Sequence, residues 1–317
     1  MNRFDLSVNC LKWIEDIIDL HNPDIVVNLG DTFDGHSVLR SELLCEFRNH
    51  IQRINKPHYY ILGNHDFFRP KDSKYHALQV FKDYPEFYVI DERCDIDNMT
   101  MVPYIADLNN FPLDTKEICI AHQTFIGADY GYHRPDAGVN ADNVSADIII
   151  SGHVHKKQEF GKVIYPGTPY ACGANDLDMT KGLLIFDTKS YEQTFIESPF
   201  PKWKSIEFII SNEQTMSDLH SILKETINEQ DHWIIKVAGP KVEMSAYFKS
   251  AQYKKISKGK HITLKLTATD KEKKQVRIKA VSTPDIIKEY IDKVYKGTID
   301  KKQLESKALE IITGQNK

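Results

Sequence analysis

An α/β fold is predicted from three observations. Short apolar, β-branched runs alternate with amphipathic helical patterns. Several of those runs stop at a Gly or a small residue followed by Asp, Asn or His. The intervening helices are punctuated by Pro and Gly. The organising stretch is Ile25-Val26-Val27-Asn28-Leu29-Gly30-Asp31-Thr32-Phe33-Asp34. It reads as a buried strand ending in a carboxylate, with a second carboxylate three residues on. Open α/β sheets place their chemistry at the carboxyl ends of strands. The design recurs three times. Tyr59-Tyr60-Ile61-Leu62 runs into Gly63-Asn64-His65-Asp66. Ile118-Cys119-Ile120-Ala121 runs into His122. Asp147-Ile148-Ile149-Ile150 runs into Ser151-Gly152-His153-Val154-His155. Asp, Asn and His are ligands for hard or borderline divalent metals.

Taken in order, residues 1–7 read as short and polar, and residues 9–21 as a helix with Leu11, Ile14, Ile17 and Ile18 on one face, stopped by Asn22-Pro23. After the organising strand, Leu39, Leu43, Leu44, Phe47, Ile51 and Ile54 mark a second amphipathic helix. A third helix is predicted over 75–84, then strands near 87–90 and 101–105. Residues 123–145 lack a period and leave directly from His122, so they read as a wall of the site. Gly182-Leu183-Leu184-Ile185-Phe186 is another buried strand, and Ser198-Pro199-Phe200-Pro201 a boundary. Beyond it the pattern is a small α+β unit: strand 205–210, helix 215–228, strand 233–237 and an alternating strand around Ile262, Leu264 and Leu266. Helices over 283–296 and 300–313 close the chain.

The 317 residues are 41% hydrophobic and 27% charged, which is ordinary for a globular protein. No apolar run approaches the roughly 18 residues of a membrane span, and no signal peptide opens the chain. The five cysteines show no CxxC spacing, and read as reduced thiols rather than disulfides or zinc ligands. The net charge of −4 hides an asymmetry: residues 241–280 carry twelve Lys/Arg against three Asp/Glu. A basic segment on an acidic body points to a polyanionic partner, with Lys254, Lys255, Lys258 and Lys260 as candidate contacts.

Singly, each motif has a bland reading as a turn or a hydrogen-bonded core His. Together, and in this order, GDxxD, GNHD, a strand-ending His and GHxH resemble the calcineurin-like metallophosphoesterases over about residues 8–190. Gly30-Asp31-Thr32-Phe33-Asp34, Tyr165-Pro166-Gly167-Thr168-Pro169-Tyr170 and Lys181-Gly182 add a narrower resemblance. It is to the nuclease subunit of SbcCD-type DNA repair and recombination exonucleases, phage enzymes included. The resemblance implies a β-sandwich of two mixed sheets flanked by helices over 1–199. It also implies a small α+β capping, DNA-binding domain over 200–280 and a helical partner-binding motif over 281–317. Asp31 would bridge two divalent ions, most consistent with Mn²⁺. Asn64, His122 and His153 would complete one site and His155 would serve the other. His65 would orient the scissile phosphate or protonate the leaving oxygen, with Asp66 holding its imidazole. Asp34 would orient neighbouring groups or cap the next helix. The implied activity is a two-metal DNA phosphodiesterase, an exo- or endonuclease in the cytoplasm of a bacterial or phage-infected cell. The implied partners are DNA and an ABC-type coiled-coil ATPase, and the resemblance allows a homodimer. Two alternatives are a phosphatase of proteins or small nucleotides and a non-catalytic DNA-binding scaffold.

One departure stands out. The family opens with Asp-x-His at the end of a first strand, and no such strand is legible before residue 9. Asp19-Leu20-His21, Asp34-Gly35-His36 and Asp218-Leu219-His220 fit the letters without the context. The expectation is therefore a chain lacking that strand, with Asp31 and His155 alone at the second metal and impaired cleavage.

Overall fold

The computed structural model describes residues 3–35, 38–68, 75–211, 214–269, 291 and 300–313. Helix α1 spans Arg3–His21, so the predicted first helix starts six residues earlier than its apolar period implies. Short strand β1 (Val26–Asn28) leads to helix α2 (Ser41–Arg53) and strand β2 (His58–Ile61). The helix expected over 75–84 is instead a single 3₁₀ turn, Ala77–Phe81, which buries Leu78 and Phe81. Strand β3 (Phe87–Ile90) follows and pairs with β2. All described pairings in the β1-β2-β3 sheet are parallel.

The second sheet has six strands: β4 (Cys94–Ile96), β5 (Met99–Val102), β6 (Ile118–Ala121), β7 (Ile148–Ser151), β8 (Gln158–Phe160) and β9 (Val163–Tyr165). Their order is β4-β5-β6-β7-β9-β8, with a parallel centre and antiparallel edges. The two sheets thus differ from a symmetric pair of mixed sheets: only the larger is mixed. Ile61 and Ile90 of the first pack against Met99, Met101, Ile118 and Ile120 of the second in one apolar cluster. On the far side of the first sheet, Phe47 and Ile51 of α2 pack on Tyr60, Leu62 and Phe87. Residues 123–145 cover the far side of the second, where Phe125, Val139 and Val144 meet Ala121, Ile149 and Tyr165. Hairpin β10 (Gly182–Phe186) and β11 (Gln193–Glu197) adds a separate two-stranded ribbon.

The small α+β unit has a core of its own. Strands β12 (Trp203–Ile209), β13 (His232–Gly239) and β14 (His261–Ala268) form one sheet in that order. Helix α3 (Met216–Thr226) begins with a capping box in which Thr215 and Asp218 satisfy each other's backbone amides. Helices α4 (Lys241–Lys249) and α5 (Ala251–Ser257) meet at Ser250, in a Lys-rich stretch without a helical apolar period. Leu219, Leu223, Trp233, Ile235, Val237 and Tyr253 fill the core between these helices and the sheet. By contacts, residues Met1–Thr267 form one compact unit and Ala268–Lys317 another. In the latter, helix α6 (Lys301–Thr313) matches the expected last helix. The helix expected over 283–296 lies outside the described residues, apart from residue 291.

Candidate metal centre

Four strand ends deliver the candidate ligands, and the backbone around them is unusually tight. Beyond β1, Gly30 has φ +99° and Asp31 has φ +55°. A Cβ at Gly30 would lie 2.2 Å from His122 Nδ1, and one at Gly63 would lie 2.1 Å from Asp31 Oδ1. Both positions therefore require glycine, because the ligand side chains lie directly on the backbone. His153, in the turn after β7, also holds a left-handed conformation at φ +73°. Two non-glycine residues in that region at one site mark a strained, over-determined geometry.

The side chains converge. Asp31 Oδ1 accepts from the His65 backbone N–H at 2.8 Å, and Oδ2 lies 3.3 Å from His122 Nε2. Burial raises the Asp31 carboxyl, while the hydrogen bond from the His65 amide works against it. Asn64 Oδ1 lies 2.8 Å from His153 Nδ1 and 3.2 Å from His122 Nε2. The two rings face each other, with His153 Nδ1 3.3 Å from His122 Nε2. Burial, and then the neighbouring His122, push His153 down to about 4. His153 is consequently neutral at pH 7, the form that ligates metals.

The donor set fits a divalent cation. His122 Nδ1 lies 2.6 Å from the Leu29 carbonyl, which assigns the ring hydrogen to Nδ1. Nε2 then presents a lone pair to Asp31 Oδ2, Asn64 Oδ1 and the His153 ring. His122 Nε2 and Asp31 Oδ2, 3.3 Å apart, are then both acceptors, an arrangement that a cation between them resolves, and Asn64 Oδ1 and the His153 ring converge on the same point. Ligand atoms of Asp31, His122 and His153 all lie within 4.8 Å of one another.

Three sequence expectations change. Asp66 does not hold the His65 imidazole. It is 1% exposed, and its two oxygens accept from the backbone N–H of Gly63 (2.9 Å) and of Phe33 (3.2 Å). Its carboxylate thereby ties the GNHD turn to the loop after β1. The His65 ring instead faces Asp34, with Nδ1 3.3 Å from the Asp34 carbonyl oxygen and 3.6 Å from its carboxylate. Asp34 does not cap α2, whose N-cap residue is Arg40. His155 does not stand with Asp31 alone. It belongs to a second group with Cys172 and Asp176, and its Nδ1 is 3.0 Å from Asp176 Oδ1. Neither Cys172 nor Asp176 is marked by the sequence, because the 171–181 stretch has no period. The one available signal was Lys181, a charge placed directly before an apolar strand.

The segment after His122 is anchored and aromatic. Tyr165 Oη donates to the Gln123 carbonyl and accepts from the Phe125 N–H, both at 2.9 Å. Tyr130 and Tyr104 then place their rings 6.0 and 5.9 Å from that of His153. Among the candidate lysines, Lys254, Lys255 and Lys258 are exposed. Lys260 Nζ donates to the Ile227 carbonyl at 2.6 Å, just beyond α3.

Comparison with known proteins points the same way. Residues 8–157 match the family model of the calcineurin-like phosphoesterases. The match, to a family of metal-dependent phosphoesterases, covers just under half of the chain. The chain is also similar to Exonuclease subunit 1 of Enterobacteria phage T4, with 23% identity over 185 residues. That similarity covers 54% of this chain and 55% of the phage protein, so the chain spans about half the length of this relative. Among the described residues, no helix is long and apolar enough to cross a membrane.

Proposed function

We propose that this protein is a metal-dependent DNA phosphodiesterase of the exonuclease-subunit type. The observation that carries the reading is the convergence of Asp31, Asn64, His122 and His153, whose ligand-type atoms lie 2.8–3.3 Å apart. Those four residues hold one divalent ion, and His155 belongs to a second. Mixed oxygen and nitrogen donors favour Mn²⁺ over Mg²⁺. When bound, such ions supply a hydroxide at neutral pH and neutralise charge on the phosphodiester.

The chain's own residues do the rest. His65 is half-exposed beside the cluster, and orients the scissile phosphate or gives a proton to the leaving oxygen. Asp34 faces its ring and sets its orientation. Asp66 keeps the GNHD turn closed, so that Asn64 and His65 are presented on a fixed backbone. Tyr104 and Tyr130 border the cluster and limit access of water. The likeness to the phage exonuclease subunit supports DNA as substrate and a multi-subunit enzyme. An ABC-type ATPase docked through the C-terminal helices is the partner we propose from the family resemblance, with a role in recombination or break repair.

Linear duplex DNA with Mn²⁺ tests the reading. Wild-type protein should release nucleotides, EDTA should stop it, and Asp31→Asn should lower the rate at least about 10²-fold. Phosphomonoester hydrolysis without DNA cleavage would replace the nuclease by a phosphatase.

A further inference from the structure

His155 is gripped at both ends by two residues that the metal cluster does not use. Its ring is 46% exposed, yet Asp176 and Lys181 beside it are 2% and 1% exposed. Asp176 Oδ1 lies 3.0 Å from His155 Nδ1 and 3.1 Å from Lys181 Nζ. Its other oxygen accepts from the Cys172 N–H at 2.6 Å. Lys181 Nζ in turn donates to the His155 carbonyl at 2.8 Å. The circuit closes: imidazole to carboxylate, carboxylate to ammonium, ammonium to the backbone of the same histidine. A buried ammonium is retained only where such partners answer it. The Asp176 carboxylate is thus already engaged by one ammonium, one ring and one amide. That argues against a dication seated directly on Asp176 and Cys172, because the ammonium would lie beside it.

We propose that Asp176 and Lys181 are positioning residues for His155. The carboxylate fixes the Nδ1–H tautomer and the ring plane, which leaves the Nε2 lone pair for a divalent metal. The ammonium holds the carboxylate and the His155 backbone in register. A carboxylate behind a ligating histidine orients the ring and raises its basicity, and losing it typically weakens metal binding about 10- to 100-fold. The metal part of this inference rests on the function proposed above; the tautomer part does not.

The test uses the full chain, ¹⁵N-labelled and metal-free, at about pH 8.5 where imidazoles are neutral. Two-bond ¹⁵N–¹H correlations report the tautomer of each ring, with His155 assigned by the signal missing in His155→Ala. Wild type should show His155 as Nδ1–H, and Asp176→Ala should move it toward Nε2–H. Because Asp176→Ala strands a buried ammonium, the double variant Asp176→Ala/Lys181→Met is the companion that keeps the site apolar and folded. It should show the same tautomer change. Titration with Mn²⁺ alone should then show the His155-dependent equivalent weakened about 10- to 100-fold in both variants, with the His122-dependent equivalent unchanged. An Nε2–H tautomer in wild type overturns the proposal, as does Nδ1–H retained in both variants. Wild-type Mn²⁺ affinity in both variants, where His155→Ala loses an equivalent, overturns it and leaves the metal reading standing. Wild-type protein that binds no Mn²⁺ removes the metal reading, and the tautomer alone then decides the clamp.

Discussion

His65 is the one residue of the GNHD turn whose side chain points to chemistry rather than to construction. Asn64 contributes its Oδ1 to the ligand cluster, and Asp66 spends both oxygens on backbone amides. His65 touches the cluster through its backbone N–H to Asp31, while its ring lies against Asp34. His65→Ala keeps that N–H, so Mn²⁺ affinity should stay within about twofold of wild type. Cleavage should fall about 10²- to 10⁴-fold, the range expected when a positioned acid or base is removed. Calorimetry beside a nuclease assay checks both halves. Loss of metal from the variant would make His65 a ligand and overturn the role. The identities of Asp31, Asn64, His122 and His153 were legible because each follows an apolar run at a strand end. The anchor of the His122 ring was not, since it is the Leu29 carbonyl, a backbone group that no residue type announces. The partner of His65 is hidden for a related reason: Asp66 is adjacent in sequence, but burial turns it inward.

Elements were legible where one face is apolar and opaque where tertiary contacts do the work. Strands β1, β2, β6 and β7 follow their β-branched runs. The single turn at Ala77–Phe81 carries helix-like periodicity, yet is too short to nucleate a helix. Helices α4 and α5 hide in a Lys-rich stretch, where Met244, Tyr247, Tyr253 and Ile256 are the buried positions. Helix α1 is fixed to α2 by a polar knot. Glu15 Oε1 lies 2.6 Å from the His50 ring, and Arg53 donates to both Glu15 oxygens at 2.7 and 2.8 Å. Burial alone would raise the Glu15 carboxyl, but hydrogen bonds from His50 and Arg53 hold it at about 2. A carboxyl depressed in the folded state stabilises the fold above its unfolded value, near 4.3, and loses that stabilisation as pH falls toward about 2. Glu15→Gln should therefore cost about 1–2 kcal/mol at pH 7, discounted because Arg53 is half-exposed, roughly half of that at pH 3, and almost nothing below pH 2. Urea unfolding across that range measures it. A deficit that persists undiminished at low pH would show that the knot acts by packing rather than by charge.

At the scale of the molecule, charge separates the parts. The basic stretch over 241–280 sits on an otherwise acidic chain. Its composition was legible, but the availability of each charge was not: Lys260 is engaged with the Ile227 carbonyl, whereas Lys254, Lys255 and Lys258 are exposed. Replacing those three with Gln should weaken duplex DNA binding uniformly across sequences. It should also reduce the salt slope by up to about one per lysine. An unchanged slope, read from fluorescence anisotropy at several salt concentrations, would place them away from DNA.

The most direct measurement is the Mn²⁺ stoichiometry of the metal-stripped full chain by isothermal titration calorimetry, beside Asp31→Asn and Asn64→Ala. The account predicts at least one tight equivalent in wild type that is lost or weakened at least about tenfold in each variant. A wild-type protein that binds no Mn²⁺, or variants that bind it undiminished, would contradict the assignment of these strand ends as a metal centre.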